Sequence, residues 1–220
     1  MKSVVRIQLQ TSDAQSARLV ALQHAFAQVC NALAPMVQQS ACWNRVALHH
    51  MAYKRLRQEF PGLGSQMVCN AIYSVSRSCR QVYQHPSSPF NLQRLAGKPL
   101  PLLKFLPQAP VYFDRHTLSL KDGQISLFTL DGRMRFRLAL QTVDEQRFRE
   151  DKLREIVLTS ERGSFTLSFT FGVDDESVDV AKGVQQGEAH ELPEYVLVIE
   201  GDRSPARPPP VSIPLHDTRP

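Results

Sequence analysis

Apolar and polar residues alternate most strictly over 131–140, DGRMRFRLAL. Met134, Phe136, Leu138 and Leu140 fall on one side and Arg133, Arg135 and Arg137 on the other, which predicts a strand with one core face and one cationic face. The same period of two predicts strands over 3–10 (Val5, Ile7, Leu9), 111–113, 117–120, 124–129, 155–160, 164–171 and 195–199. In 164–171, Phe165, Leu167, Phe169 and Phe171 alternate with Ser164, Thr166, Ser168 and Thr170. The pairs Asp122-Gly123, Asp131-Gly132 and Arg162-Gly163 mark turns. These strands therefore predict an antiparallel meander closing into a barrel, with strand 3–10 pairing into it.

Between 11 and 84 the period changes to three and four. Thr11, Ser12 and Asp13 offer N-caps for a helix with Leu19, Leu22, Phe26, Val29, Cys30 and Leu33 on one face, which Pro35 kinks or ends. Asn44 caps a second helix over 45–58, with Leu48, Met51, Ala52 and Leu56 inward and Lys54, Arg55 and Arg57 outward. A third helix over 65–83 has Val68, Ala71, Ile72, Val75, Cys79 and Val82 on one face, and Arg77 and Arg80 on the opposite side, available to a partner. Pro86, Pro89, Pro99, Pro101, Pro107 and Pro110 make 85–110 an irregular connector. The layout expected is α+β: a first barrel strand over 1–10, a helical insertion over 11–84, a connector over 85–110, a β-barrel over 111–200 and a Pro-rich tail over 201–220.

Charge changes this picture by being unevenly placed. Residues 45–154 hold 18 basic against 8 acidic side chains, and residues 155–220 hold 5 against 12. The basic block points to an anionic partner, nucleic acid above all, while the acidic end faces water or another protein. No run approaches the ~20 apolar residues of a membrane span, and the opening MKSVVRIQLQ has no apolar signal segment, so a cytoplasmic protein without a membrane partner is expected. Cys30, Cys42, Cys69 and Cys79 have no zinc or CxxC spacing and are expected as reduced, buried, small apolar residues.

Candidate chemistry is sparse. There is no HExxH, GxSxG, phosphate loop or GxGxxG, so no cofactor or metal is expected. Asp174, Asp175, Glu176 and Asp179 carry oxygens that suit a cation, but their turn-rich acidic setting reads as a solvated loop. His49 and His50, adjacent on a helix, point in different directions and suit packing or a phosphate better than a metal. Trp43, Tyr53, Tyr73 and Tyr83 suit either base stacking or packing. Arginines two apart on a strand stand ~6.5 Å from each other, a spacing suited to successive phosphates.

The chain resembles the N-terminal half of the TnpB (OrfB) transposon nucleases and compact type V CRISPR effectors over residues 3–171. VRIQLQTSDAQSARL is similar to the family's opening strand and helix start, and VCNALA to its Cys-Asn segment, here Cys30 and Asn31. HHMAYKRLRQEFPGLGSQMVCNAIYSVSRSCRQVY resembles the run containing Tyr53, Arg57, Leu63, Gln66, Ala71 and Ile72. FDRHTLSLKDGQISLFTLDGRMRFRLAL resembles the strand pair ending at Gly132-Arg133, and REIVLTSERGSFTLSFTF the strand pair before the nuclease domain. The resemblance implies a wedge-type barrel with a three-helix recognition insertion that binds a guide-type RNA and its target DNA. The family's nuclease domain has three separated acids, and often a zinc ribbon. About fifty residues follow the last matched strand here, without zinc-ligand cysteines, so cleavage by this chain is not expected.

The reading expected is an RNA-binding subunit of an RNA-guided ribonucleoprotein, not itself an enzyme, with Lys54, Arg55, Arg57, Arg77, Arg80, Arg133, Arg135 and Arg137 on phosphates. Three others fit the same residues: a protein-assembly subunit docking through 172–220, a subunit completed in trans by a nuclease chain, with Asp174 and Asp175 adding to a partner's acids, and a transposon remnant.

Overall fold

The first strand, β1 (Ser3–Leu9), finds its partner late in the sequence. A computed structural model describes residues 3–121, 123–138, 142–172 and 192–200. β8 (Ser164–Phe171) runs antiparallel to β1 from Ser3↔Phe171 to Leu9↔Phe165, and β7 (Leu153–Glu161) and β3 (Val111–Phe113) complete a sheet in the order β1-β8-β7-β3. Alternation sets this register. Val5 and Leu9 lie opposite the buried Phe169 and Phe165, and Ile156 and Leu158 of β7 share their face, so a slip of one residue would turn the phenylalanines outward. The β7–β8 hairpin turns through Arg162 and Gly163 at φ 49° and 81°, the two left-handed residues of a tight hairpin loop.

Three helices lie in the sequence between β1 and its partners. α1 (Asp13–Ser40) starts on a capping box, with Ser12 Oγ accepting from Gln15 N at 3.3 Å and Ser12 N donating to Gln15 Oε1 at 3.0 Å. Pro35, expected to kink or end it, stands on its exposed side, and the helix continues to Ser40. Burial of Leu33, Ala34 and Val37 carries it past the missing amide, and Arg55 Nη2 donates to Ala32 O beside the proline at 3.0 Å. α2 (Arg45–Glu59) is capped by Asn44, whose Oδ1 accepts from Val46 N and Ala47 N at 3.0 and 3.1 Å. Its Leu48, Ala52 and Leu56 are buried as expected, whereas Met51 is 46% exposed. α3 (Ser65–Cys79) is covered on most of its circumference, packing on α1, α2 and β3. A π-helical turn, Arg80–Gln84, continues it.

The expected irregular connector holds two elements, α4 (Leu92–Leu95) and β2 (Leu102–Phe105), which pairs antiparallel with β9 (Val196–Ile199). The prolines flank β2 and do not interrupt it. α1 serves this segment's backbone from one side: Asn31 Nδ2 donates to Phe105 O at 2.9 Å while Phe105 N donates to Asn31 Oδ1 at 2.7 Å. Gln38 Nε2 donates to Leu100 O at 2.9 Å and Gln23 Nε2 to Gln108 O at 3.3 Å. Amide side chains thus meet peptide groups that β-pairing leaves over. Below them the Tyr83 hydroxyl, buried beside Trp43, donates to Pro101 O at 2.6 Å.

The fold is α+β with antiparallel sheets, but among the described residues no sheet closes into a barrel. Closure fails at Asp114. Its Oδ1 accepts from His116 N and Thr117 N, both at 3.0 Å, and its Oδ2 from Gln66 Nε2 at 2.5 Å. This turn takes the chain out of the first sheet, so β4 (Leu118–Lys121), β5 (Gln124–Thr129) and β6 (Gly132–Arg137) form a separate meander. α5 (Thr142–Glu150) follows it, with Phe148 edge-on against Phe169 and Phe171 at 4.9 and 5.1 Å. No described helix is long and apolar enough to cross a membrane. Asp174, Asp175, Glu176, Asp179 and the Pro-rich tail lie outside the described residues.

Cys30 and Cys79 are buried, as expected, but Cys42 and Cys69 are half-exposed. Burial pushes the Cys79 thiol up to about 12, Cys30 further, and Cys69 in the same direction. Since the thiolate is the nucleophile, iodoacetamide on the native protein should label Cys42 first and Cys69 slowly. Cys30 and Cys79 should react only after unfolding, as mass spectrometry of the timed reaction will show.

Candidate nucleic-acid interface

The β4–β6 meander has two chemically opposite faces. Inward, Leu118, Leu127 and Met134 stand opposite one another across the three strands, and Ile125 and Phe136 beside them are also buried. Outward, the next positions place Ser119, Ser126 and Arg135 in one row and Lys121, Gln124 and Arg137 in the next, with Phe128 opposite Arg133 at the turn end. No carboxylate stands among these eight outer positions. Core burial of one face therefore fixes the arginines on the other, because strand side chains alternate.

The three arginines are not equivalent. Arg133 lies down on its own sheet: Nη2 donates to His116 O at 3.0 Å, Nη1 to Ser126 O at 3.1 Å, and its guanidinium sits 4.6 Å above the Phe128 ring. Arg135 and Arg137 are exposed and have no hydrogen-bond or ion-pair partner among the described residues. At the end away from the β5–β6 turn, Lys121, Gly123, Gln124, Arg137 and Leu138 line an open cleft of about 490 Å³. Two cations flank it.

The turn end is anchored to α1. Arg18 places Nε and Nη2 at 2.8 and 2.7 Å from Asp131 Oδ1, and Nη2 also donates to Thr129 Oγ1 at 2.9 Å. Hydrogen bonding from Thr129 and Arg18 holds the Asp131 carboxyl below the ordinary value of 3.8. A depressed folded-state value supplies stability above the unfolded value that is lost as pH falls through the folded one. In urea titrations, Asp131→Asn should therefore unfold earlier than wild type at about pH 6, and the difference should shrink as the pH falls below 3.8 and through the folded-state value.

The helical candidates are placed differently. Lys54 and Arg80 are exposed. Arg55 reaches Ala32 O, and Arg57 Nη1 donates to Leu63 O, securing the turn after α2. Arg77, expected to be available to a partner, is half-buried and already engaged: its Nη1 lies 3.0 Å from Glu155 Oε1, which also accepts from the Tyr73 hydroxyl at 2.8 Å. Burial and then the Glu155 carboxylate push the Tyr73 phenol up. No hydrogen bond, ion pair or ring contact joins these five side chains to the meander's outer face among the described residues.

Trp43 and Tyr83 pack against each other, and Tyr73 against Tyr112, so packing takes these aromatics. Tyr53 stacks on His49 at 4.7 Å. The sequence reading passed over Lys121 and Phe128; their places opposite Gln124 and Arg133 across the two-residue β4–β5 and β5–β6 loops were the signal that puts them on the arginine face. Among the described residues no group of three or more His, Cys, Asp or Glu side chains comes together to hold a metal ion. The chain matches no protein-family model and no curated protein.

Proposed function

We propose that this chain is a TnpB-like RNA-binding protein, a subunit of an RNA-guided, DNA-binding ribonucleoprotein, and that the outer face of β4–β6 is its RNA contact. One observation carries the reading: exposed Arg135 and Arg137 share a carboxylate-free face with Lys121, and the core beneath them fixes where they stand. A solvated strand face ordinarily mixes both signs of charge. Cations in a row two residues apart match the repeating charge of a phosphate backbone. The resemblance over residues 3–171 supplies the guide-RNA and target-DNA part of the reading, with α1–α3 as the recognition unit. No catalytic role is proposed.

The test is purification of the full chain without nuclease, followed by stripping and rebinding. RNA should co-purify, and the stripped protein should bind it with an affinity that falls as salt rises. A preparation free of RNA that shows no salt-dependent binding overturns the reading.

A second reading, a protein-assembly subunit, draws on β9, whose Leu197 and Ile199 are 48% and 43% exposed on a two-stranded sheet. Serine at both positions would then abolish assembly with a partner and leave RNA affinity unchanged.

A further inference from the structure

The outer face of the meander is asymmetric in a way that selects among RNA forms. Its phosphate-binding cations run along one strand: Arg135 and Arg137 stand on β6, the edge of the sheet. The neighbouring strip on β5 is Gln124, Ser126 and Phe128, which offers hydrogen bonds and an aromatic face but no charge. β4, roughly 10 Å from β6, adds Lys121 alone. One phosphate backbone fits this distribution. A duplex presents two, and the second would cross the uncharged strip and most of β4.

The turn end carries the complementary feature. Phe128 is 38% exposed, and Arg133, tied down through His116 O and Ser126 O, holds its guanidinium carbon 4.6 Å from the ring centroid. The pair is a preformed cation–aromatic surface, with both side chains exposed to solvent. Stacking on such a surface requires a base with a free face, which an unpaired nucleotide has and a base within a helix lacks. From Arg133 to Arg137 the strand covers roughly 14 Å, the reach of about three nucleotides of an extended chain.

Resting on the RNA-binding reading above, we propose that this face binds an unpaired RNA segment of about three nucleotides. Its phosphates follow Arg135 and Arg137, one of them seated in the Lys121–Arg137 cleft, and one base stacks on the Arg133–Phe128 pair.

The experiment measures fluorescence anisotropy of the full-length protein with a labelled mixed-sequence RNA dodecamer, alone and paired with its complement. The single strand should bind at least about tenfold tighter at ~0.1 M salt, with log K falling against log[salt] at a slope near −2 for three phosphates. Phe128→Leu should weaken single-strand binding about tenfold without changing that slope, and Phe128→Tyr, which keeps the ring, should retain binding. Lys121→Ala should make the slope shallower by about 0.7. Equal or tighter duplex binding, or a Phe128→Leu protein that binds as wild type, overturns the unpaired-strand inference and leaves the RNA-binding reading standing. Absence of salt-dependent binding to either form overturns both.

Discussion

Alanine at both Arg135 and Arg137 is expected to lower the proposed RNA affinity by about a hundredfold or more at ~0.1 M salt. Each guanidinium–phosphate contact is charge-assisted and worth about 1.5–3 kcal/mol, and each 1.4 kcal/mol is about tenfold. The salt slope becomes shallower by about 1.4, since each single-strand phosphate contributes about 0.7. Both side chains are exposed and make no protein contact among the described residues, so the thermal midpoint stays within a degree or two of wild type, about the precision of the method. Arg133→Ala separates the roles on the same strand: it removes bonds to His116 and Ser126 and the contact with Phe128, and so lowers stability as well as affinity. A double variant that binds like wild type with the same slope removes the sheet face as the RNA site. Binding would then have to fall to Lys54, Arg80 and the half-engaged Arg55.

Asn31→Ala is expected to destabilise the fold by about 2–4 kcal/mol. The side chain donates to Phe105 O and accepts from Phe105 N, and its loss strands two peptide groups, at about 1–3 kcal/mol for each left unsatisfied. In urea the midpoint drops and the slope m holds, since the same surface is exposed on unfolding. Asn31→Asp refines the test. It keeps an acceptor for Phe105 N but sets a carboxylate oxygen against Phe105 O, so it is destabilised at neutral pH and recovers as acid restores a donor. Wild-type stability in the alanine variant would show that the α1–β2 clamp contributes nothing. Cys30 and Asn31, adjacent on α1, divide the work: Cys30 is buried against α3, with its thiol 3.8 Å from Ala71 O, while Asn31 turns the other way and holds the strand.

Strands whose two faces differ were legible in the sequence. The strand over 164–171 was bounded correctly because four aromatic or leucine residues alternate with four hydroxyls. β6 was legible because three arginines alternate with Met134 and Phe136, but it ends at Arg137, short of the Leu140 expected. β2 was not legible: two buried residues, Leu103 and Phe105, are too few to show a period among prolines, and its pairing with β9 is set across about ninety residues. α5 has Phe148 as its one large described apolar anchor, and its sequence signal is reduced to Thr142 and Glu145 at capping-box spacing. Barrel closure was over-read because strand count and turn signals say nothing of direction. That direction is set at Asp114, whose carboxylate gathers amides from its own turn and Gln66 from α3. The cationic face was legible as a strand pattern. What separates Arg133 from Arg135 and Arg137 was not, because it depends on His116 O and Phe128 arriving from two other strands' ends. Arg77 was misplaced for a similar reason, since helical periodicity puts it outside α3 but Glu155 of β7 waits there.

The pairing of Ser3 with Phe171 also has a consequence for synthesis. A ribosome adding about 5–20 residues per second needs roughly ten to thirty seconds between β1 and its partner β8. Throughout that interval β1 is a nascent strand with both edges open, while α1, α2 and α3 are complete once residue 79 has been added, well before β8. The helical unit is thus the part equipped to fold first, with the large sheet closing on it last. Slowing translation just after residue 84 would change the yield of folded chain without altering the sequence.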